Sequence, residues 1–186
     1  MVRCALVCHP ETPPCTDFMI WVDVEQGDGG LIALDFQLEG DVGSIFLPAL
    51  SDMPPQHTDG LWKTTCMEAF VRTGEEEGYS EINVSPSMQW AAYRFDAYRS
   101  GMRSIDIPEP CGGLVMQRTK VSIFFPVFLG AYGACHPSSI WHLALSAVIE
   151  ENDGTKSYWA LRHPPGPPDF HHADCFALTL PAPDAS

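Results

Sequence analysis

The sequence predicts an all-β fold, an antiparallel two-sheet β-sandwich of roughly nine strands. Short apolar runs alternate with polar positions at a two-residue period, and clusters of Gly, Pro, Asp and Asn interrupt them at strand-like intervals. No run keeps the helical period, so helix is expected to be scarce. With no internal repeat, heptad pattern or linker, residues 1–186 are read as a single domain.

The first candidate strand is "TDFMIWVDVE" over 16–25, rich in the β-branched and aromatic residues that suit a pleated surface. The second, "LIALDFQLEG" over 31–40, is the clearest, with Ile32, Leu34, Phe36 and Leu38 on one face and Ala33, Asp35, Gln37 and Glu39 on the other. "CMEAFVR", "YSEINVS", "WAAYRFDAY", "TKVSIFFPVF", "WHLALSAVIE", "SYWALR" and "CFALTL" complete the set. Between the strands at 141–150 and 157–162, Asp153-Gly154 can supply the positive φ angles of a tight hairpin turn. Residues 100–114, with two prolines and adjacent glycines, read as a loop that crosses between sheets or rims a site.

Two neighbouring strands concentrate polar chemistry. In 79–85 the residues Tyr79, Glu81, Asn83 and Ser85 share a face opposite Ile82 and Val84. In 90–98 the faces are Trp90, Ala92, Arg94, Asp96 and Tyr98 against Ala91, Tyr93, Phe95 and Ala97. With "PSMQ" at 86–89 as the connecting loop, Glu81 lies across from Arg94 and Asn83 across from Ala92. This face reads either as a solvated sheet surface with a cross-strand ion pair or as a binding surface of aromatic platforms and directed hydrogen-bonding groups.

Composition narrows the partners. Hydrophobic residues make up 45% and charged residues 18% of the chain, as in globular proteins. A formal net charge of −14 repels a phosphate backbone, which argues against nucleic acid. No apolar run reaches bilayer length and the N-terminal stretch lacks a signal-peptide pattern, so no membrane partner and a cytoplasmic setting are expected. The seven cysteines form no CxxC pair; Cys66 and Cys175 are expected to be buried thiols, while Cys4 and Cys8 are the candidates for reactivity.

The segments "GLWKTTCMEAF", "YSEINVSPSMQWAAYRFDAYRSGM" and "LSAVIEENDGTKSYWALRHPPGPPDFHHADCF" together resemble DOMON-like domains related to family 9 carbohydrate-binding modules. The resemblance implies an antiparallel β-sandwich that binds a ligand without catalysis. In the sugar-binding relatives a tryptophan precedes a strand glutamate by the spacing seen between Trp62 and Glu68. It therefore implies that Trp62 stacks on a sugar ring and that Glu68 accepts hydrogen bonds from its hydroxyls. Glu81, Asn83, Trp90 and Arg94 are expected as further contacts or supports, with a small saccharide as the expected partner and no cofactor. On the residues themselves, Trp62 can equally be a lid over the sandwich end, and Glu68 a buried acid paired to Arg94 or to a backbone donor. The second stacking tryptophan of the relatives has Trp90, Trp141 and Trp159 as candidates.

Other chemistry has weaker signals. His163, Asp169, His171 and His172 gather in one loop, but without metal-ligand spacing they read as packing or capping residues, and no metal is assigned. Glu68 and Glu81 could in principle serve as a glycosidase pair, yet nothing local sets their separation. Haem is the alternative ligand, because some DOMON domains hold it through Met and His: here Met67, Met88, Met102 or Met116 with His57 or His142. A protein-interaction module is the remaining alternative.

Overall fold

The computed structural model describes residues 1–50, 54–129 and 139–182. Among them the chain forms twelve strands: β1 (Val2–Cys8), β2 (Phe18–Gln26), β3 (Leu31–Gly40), β4 (Cys66–Thr73), β5 (Tyr79–Val84), β6 (Trp90–Phe95), β7 (Arg103–Ser104), β8 (Gly113–Gln117), β9 (Lys120–Phe128), β10 (Trp141–Glu150), β11 (Lys156–Ala160) and β12 (Leu178–Leu180). Strand neighbours run antiparallel in the order β7-β6-β5-β4-β10-β11-β1-β2-β3-β9-β8, with β12 on the side of β10. Helical structure among the described residues is limited to short 3-10 turns, and no helix there is long and apolar enough to cross a membrane.

The two sheets expected from the sequence are joined into one hydrogen-bonded path. The joint is β1, which pairs with β2 over Val2–Leu6 and with β11 through Val7 and Cys8. Sequence alternation did not reveal this strand, because most of its residues are exposed or half-exposed on both faces. The sheet curls so that its halves share one core. Ile20, Val22, Leu34, Phe36, Ile123 and Phe125 from one half meet Met67, Ile82, Val84, Leu143 and Leu145 from the other. The alternation read in β3 holds: Ile32, Leu34, Phe36 and Leu38 are buried, and Asp35 and Glu39 point outward with Lys120 and Ser122 as partners.

The half containing β4, β5, β6, β10 and β11 has a second apolar layer on its other face. Phe70, Tyr79, Tyr93, Phe95, Ala144 and Val148 pack there against Phe170 and Cys175, which come from the long segment after β11. Both faces of β4 and β5 are therefore covered, and acids in these strands are buried rather than solvated.

The register of β5 and β6 corrects the sequence reading. Glu81 lies across from Tyr93, Asn83 from Ala91, and Arg94 from Ser80. The cause is the connecting loop. Ser85 and Gln89 close it through Ser85 N–H to Gln89 O (2.9 Å), and Met88 N–H reaches Ser85 O (2.9 Å), leaving three residues with Met88 at φ 63°. A type I turn followed by a left-handed residue is the usual three-residue hairpin loop, but a methionine seldom takes that conformation. Shortening the loop by one residue turns every side chain of β6 to the opposite face. Trp90 and Ala92 thus join the main core, while Tyr93 and Phe95 join Glu81.

The Asp153-Gly154 hairpin is present, in a related form. Glu151 N–H bonds Thr155 O (2.8 Å) and Gly154 N–H bonds Glu151 O (2.8 Å), and Gly154, but not Asp153, has positive φ (89°). Gly154→Ala is expected to cost about 1 kcal/mol in chemical denaturation from backbone strain. A methyl there would meet no atom within 4 Å, so an unchanged midpoint would show that the turn readily relaxes.

The 100–114 segment is mostly loop but contributes Arg103–Ser104 to β7 and begins β8 at Gly113. Its glycine pair serves close approach as well as turning, since a Cβ on Gly112 would collide with the Phe124 carbonyl oxygen.

Candidate functional site

A pocket of about 380 Å³ opens over the second apolar layer, lined by Trp62, Glu68 and Glu81 together with Phe95, Arg99, Met102, Val148, Tyr158, Pro168, Phe170 and His171. Its floor is the outer face of β4 and β5, where Glu68, Phe70 and Arg72 alternate with core residues, as do Tyr79, Glu81 and Asn83. Because Glu68 pairs with Asn83 and Phe70 with Glu81, the two acids sit diagonally across adjacent strands.

Trp62 stands at the rim. It lies in a 3-10 turn, Leu61–Lys63, entered through Gly60 at φ 78°. The turn is held at both ends: Tyr93 Oη donates to Asp59 Oδ1 (2.7 Å), and Lys156 Nζ donates to the Lys63 carbonyl (2.6 Å). The Trp62 ring meets Tyr93 edge-on at 6.0 Å and remains 38% exposed, so it is not a closed lid.

Glu68 and Glu81 are 3% and 5% exposed. Glu81 Oε1 accepts from Asn83 Nδ2 (2.8 Å). Glu68 Oε2 has a long contact from Ser146 Oγ (3.5 Å), while Glu68 Oε1 and Asn83 Oδ1 are buried without a hydrogen-bond partner among the described residues. Burial holds the Glu68 carboxyl well above the usual carboxylate range, and the neighbouring Glu81 adds to the effect. Burial likewise pushes Glu81 up to about 7, against the opposing pull of Asn83 and Arg99.

His171 covers the acids from the segment after β11. Arg99 N–H donates to Tyr79 Oη (3.2 Å), so the tyrosine's own hydrogen is available for His171 Nδ1 (2.8 Å). When the tyrosine hydroxyl donates to Nδ1, the neutral imidazole carries its proton on Nε2, 3.9 Å from Glu81 Oε2. Burial, reinforced by Arg99, lowers the His171 pKa to about 4. Asp169 positions this segment by accepting from Arg99 Nη2 (2.8 Å), Tyr98 Oη (2.6 Å) and His171 N–H (3.1 Å).

Of the residues singled out from the sequence, the structure brings Trp62, Glu68 and Glu81 to one pocket, with Asn83 beneath Glu81. Trp90 is instead in the main core, 7% exposed and edge-on to His57. Arg94 bonds Glu76 (2.9 Å) rather than Glu81 or Glu68, and Asp96 pairs with Arg103 in the turn after β6. Both displacements follow from the register of β6. Trp141 is fully buried in the core and Trp159 is 6% exposed there. Cys66 and Cys175 are buried, and burial raises their thiol pKa values as it does those of the half-buried Cys4 and Cys8.

Arg99, Tyr158, Phe170 and His171 were not singled out as ligand contacts from the sequence. The loop carrying His171 drew attention as metal chemistry, but its polar groups have other duties. His163 bonds the Val7 carbonyl (2.8 Å) and His172 caps the turn at Ala173–Cys175. Among the described residues no three His, Cys, Asp or Glu side chains gather as metal ligands. For haem, the named residues are dispersed: Met67 is in the core, Met116 is exposed on β8, and His142 contacts Thr179. Met102 does line the pocket.

No family model matches this chain, and no curated protein matches it. Its fold is similar to that of a candidate carbohydrate-binding protein from Bacteroides uniformis ATCC 8492, with a TM-score of 0.63 and 10% identity over 94% of this chain and 83% of the other. Two structures of a family 9 carbohydrate binding module from Caldicellulosiruptor kristjanssonii, with cellotriose and with glucose, give TM-scores of 0.48. They are 9% and 10% identical, covering 87% and 82% of this chain and 74% and 71% of those chains. The first likeness shows an all-β antiparallel architecture shared over most of both chains.

Proposed function

We propose that this chain is a non-catalytic domain that binds a small saccharide or sugar derivative in the pocket between Trp62 and the Glu68–Glu81 pair. The observation that carries the reading is an accessible indole at the rim of a pocket whose floor holds a buried carboxyl oxygen, Glu68 Oε1, without a partner among the described residues. An indole face suits the C–H surface of a pyranose, and a carboxyl acceptor suits its hydroxyl donors. The fold shared with a candidate carbohydrate-binding protein supports the same reading. A DOMON-like kinship, drawn from the sequence segments, belongs to this proposal as well.

One stacked ring and a few hydrogen bonds correspond to dissociation constants of about micromolar to millimolar. Titrating mono- and disaccharides while following tryptophan fluorescence and calorimetric heat is expected to yield a saturable response. Trp62→Ala should weaken it about tenfold by removing the stacking surface. Glu68→Gln should weaken it by a smaller factor, because the amide keeps one acceptor oxygen but cannot ionise toward a hydroxyl donor. If no saccharide binds, or if both folded variants bind like the parent, the proposal fails.

A further inference from the structure

Resting on the saccharide reading of this pocket, we infer that its ligand is a sugar carrying a protonated amine, whose ammonium group sits between Glu68 Oε1 and Glu81 Oε2. Two nearly fully buried acids face one pocket, and among the described residues neither has a cationic hydrogen-bond partner of its own. The guanidinium on the pocket wall, Arg99, is committed to Asp169 at 2.8 Å. His171 offers an N–H to Glu81 at 3.9 Å, beyond hydrogen-bond reach, and its Nδ1 is occupied by Tyr79.

Each acid leaves one oxygen for a ligand. Glu68 Oε1 has no partner among the described residues, and Glu81 has its Oε1 engaged by Asn83 while Oε2 lies 3.9 Å from His171 Nε2. Without a cation beside them, burial favours the protonated form of these acids, and neutral hydroxyls, though able to donate to their oxygens, bring no charge that would let them ionise. An ammonium group supplies three N–H donors and cancels charge in a site where an unpaired carboxylate is costly. The exposed Trp62 ring adds a surface that attracts cations, and the chain's net charge of −14 favours a cationic ligand from a distance.

The test compares glucose, galactose and mannose with their 2-amino and 2-acetamido derivatives by calorimetry at neutral pH. At least one amino sugar is expected to bind about tenfold or more tightly than both its hydroxyl and acetamido counterparts, the difference made by a charge-assisted hydrogen bond. Glu68→Gln and Glu81→Gln, isosteric changes checked for folding by thermal unfolding, should bring that ratio close to one. Trp62→Ala should weaken binding while leaving a preference for the amine. Neutral sugars binding as well as amino sugars, or a preference that survives both Gln variants, would overturn the inference and leave the saccharide reading standing. Failure of every sugar to bind would overturn both.

Discussion

Unfolding is expected to become easier as pH rises above about 6.5, by at least about 1 kcal/mol before pH about 8.5, through the acids of the pocket. Glu81 has an ordinary value of 4.5 and a folded value of about 7, and Glu68 is also held well above 4.5. Between those values the folded chain retains protons that the unfolded chain has released. Stability is therefore complete below the unfolded value and is lost as pH rises through the folded one. His171 works in the opposite sense, since its folded value is about 4 and its ordinary value 6.5. It makes stability rise with pH across that lower interval, as does His163, whose pKa burial also lowers. The acids consequently dominate only above the histidine range. Urea unfolding at a series of pH values should show the decline, and a Glu68→Gln/Glu81→Gln double variant should flatten it and be the more stable protein at the alkaline end. A decline of equal slope in the double variant would place its origin elsewhere. The same two carboxyls that make the pocket costly to fold are those available to a ligand, a local conflict of the kind binding sites retain.

Glu151→Ala is expected to destabilise the chain by about 3–5 kcal/mol, measured by equilibrium denaturation. Glu151 is 3% exposed and lies where the β10–β11 hairpin begins. Its Oε2 accepts from Cys15 N–H (2.6 Å), and its Oε1 accepts from Thr16 N–H (3.0 Å) and Thr16 Oγ1 (2.6 Å). Thr16 Oγ1 in turn contacts Ser44 Oγ (2.7 Å), so one carboxylate holds the β1–β2 connection to the hairpin and to the turn after β3. Alanine would leave backbone donors unsatisfied in a largely dehydrated place, whereas glutamine keeps one acceptor oxygen and should cost less. A loss below about 1 kcal/mol for alanine would mean that water replaces the carboxylate without penalty.

Residues close in sequence were readable from the sequence, because a strand's two-residue period and a turn's chemistry are local. The faces of β3, the hairpin at Gly154 and the proximity of Trp62 to Glu68 follow from such short spacings. Glu68 stood out as an acid in a strand otherwise suited to burial, and Glu81 as a member of a polar strand face; both are buried and line the pocket. The face of β6 depended on one backbone angle, the positive φ of Met88, which a methionine does not announce. That angle sent Trp90 and Arg94 away from the pocket and turned Phe95 toward it.

By itself, then, the sequence determined that the chain is built of antiparallel strands, which residues form the apolar face of β3, and that Trp62 lies close to Glu68. Tertiary structure decided that β1 joins the halves of the sheet and that Arg99, Phe170 and His171 close over Glu68 and Glu81. Phe170 and His171 come from a segment far along the chain, held there by hydrogen bonds from Arg99 and Tyr98 to Asp169 and by apolar packing on β4 and β5. Periodicity reports which face of a strand is buried, whereas the identity of what covers it depends on contacts between distant segments, which no local spacing encodes.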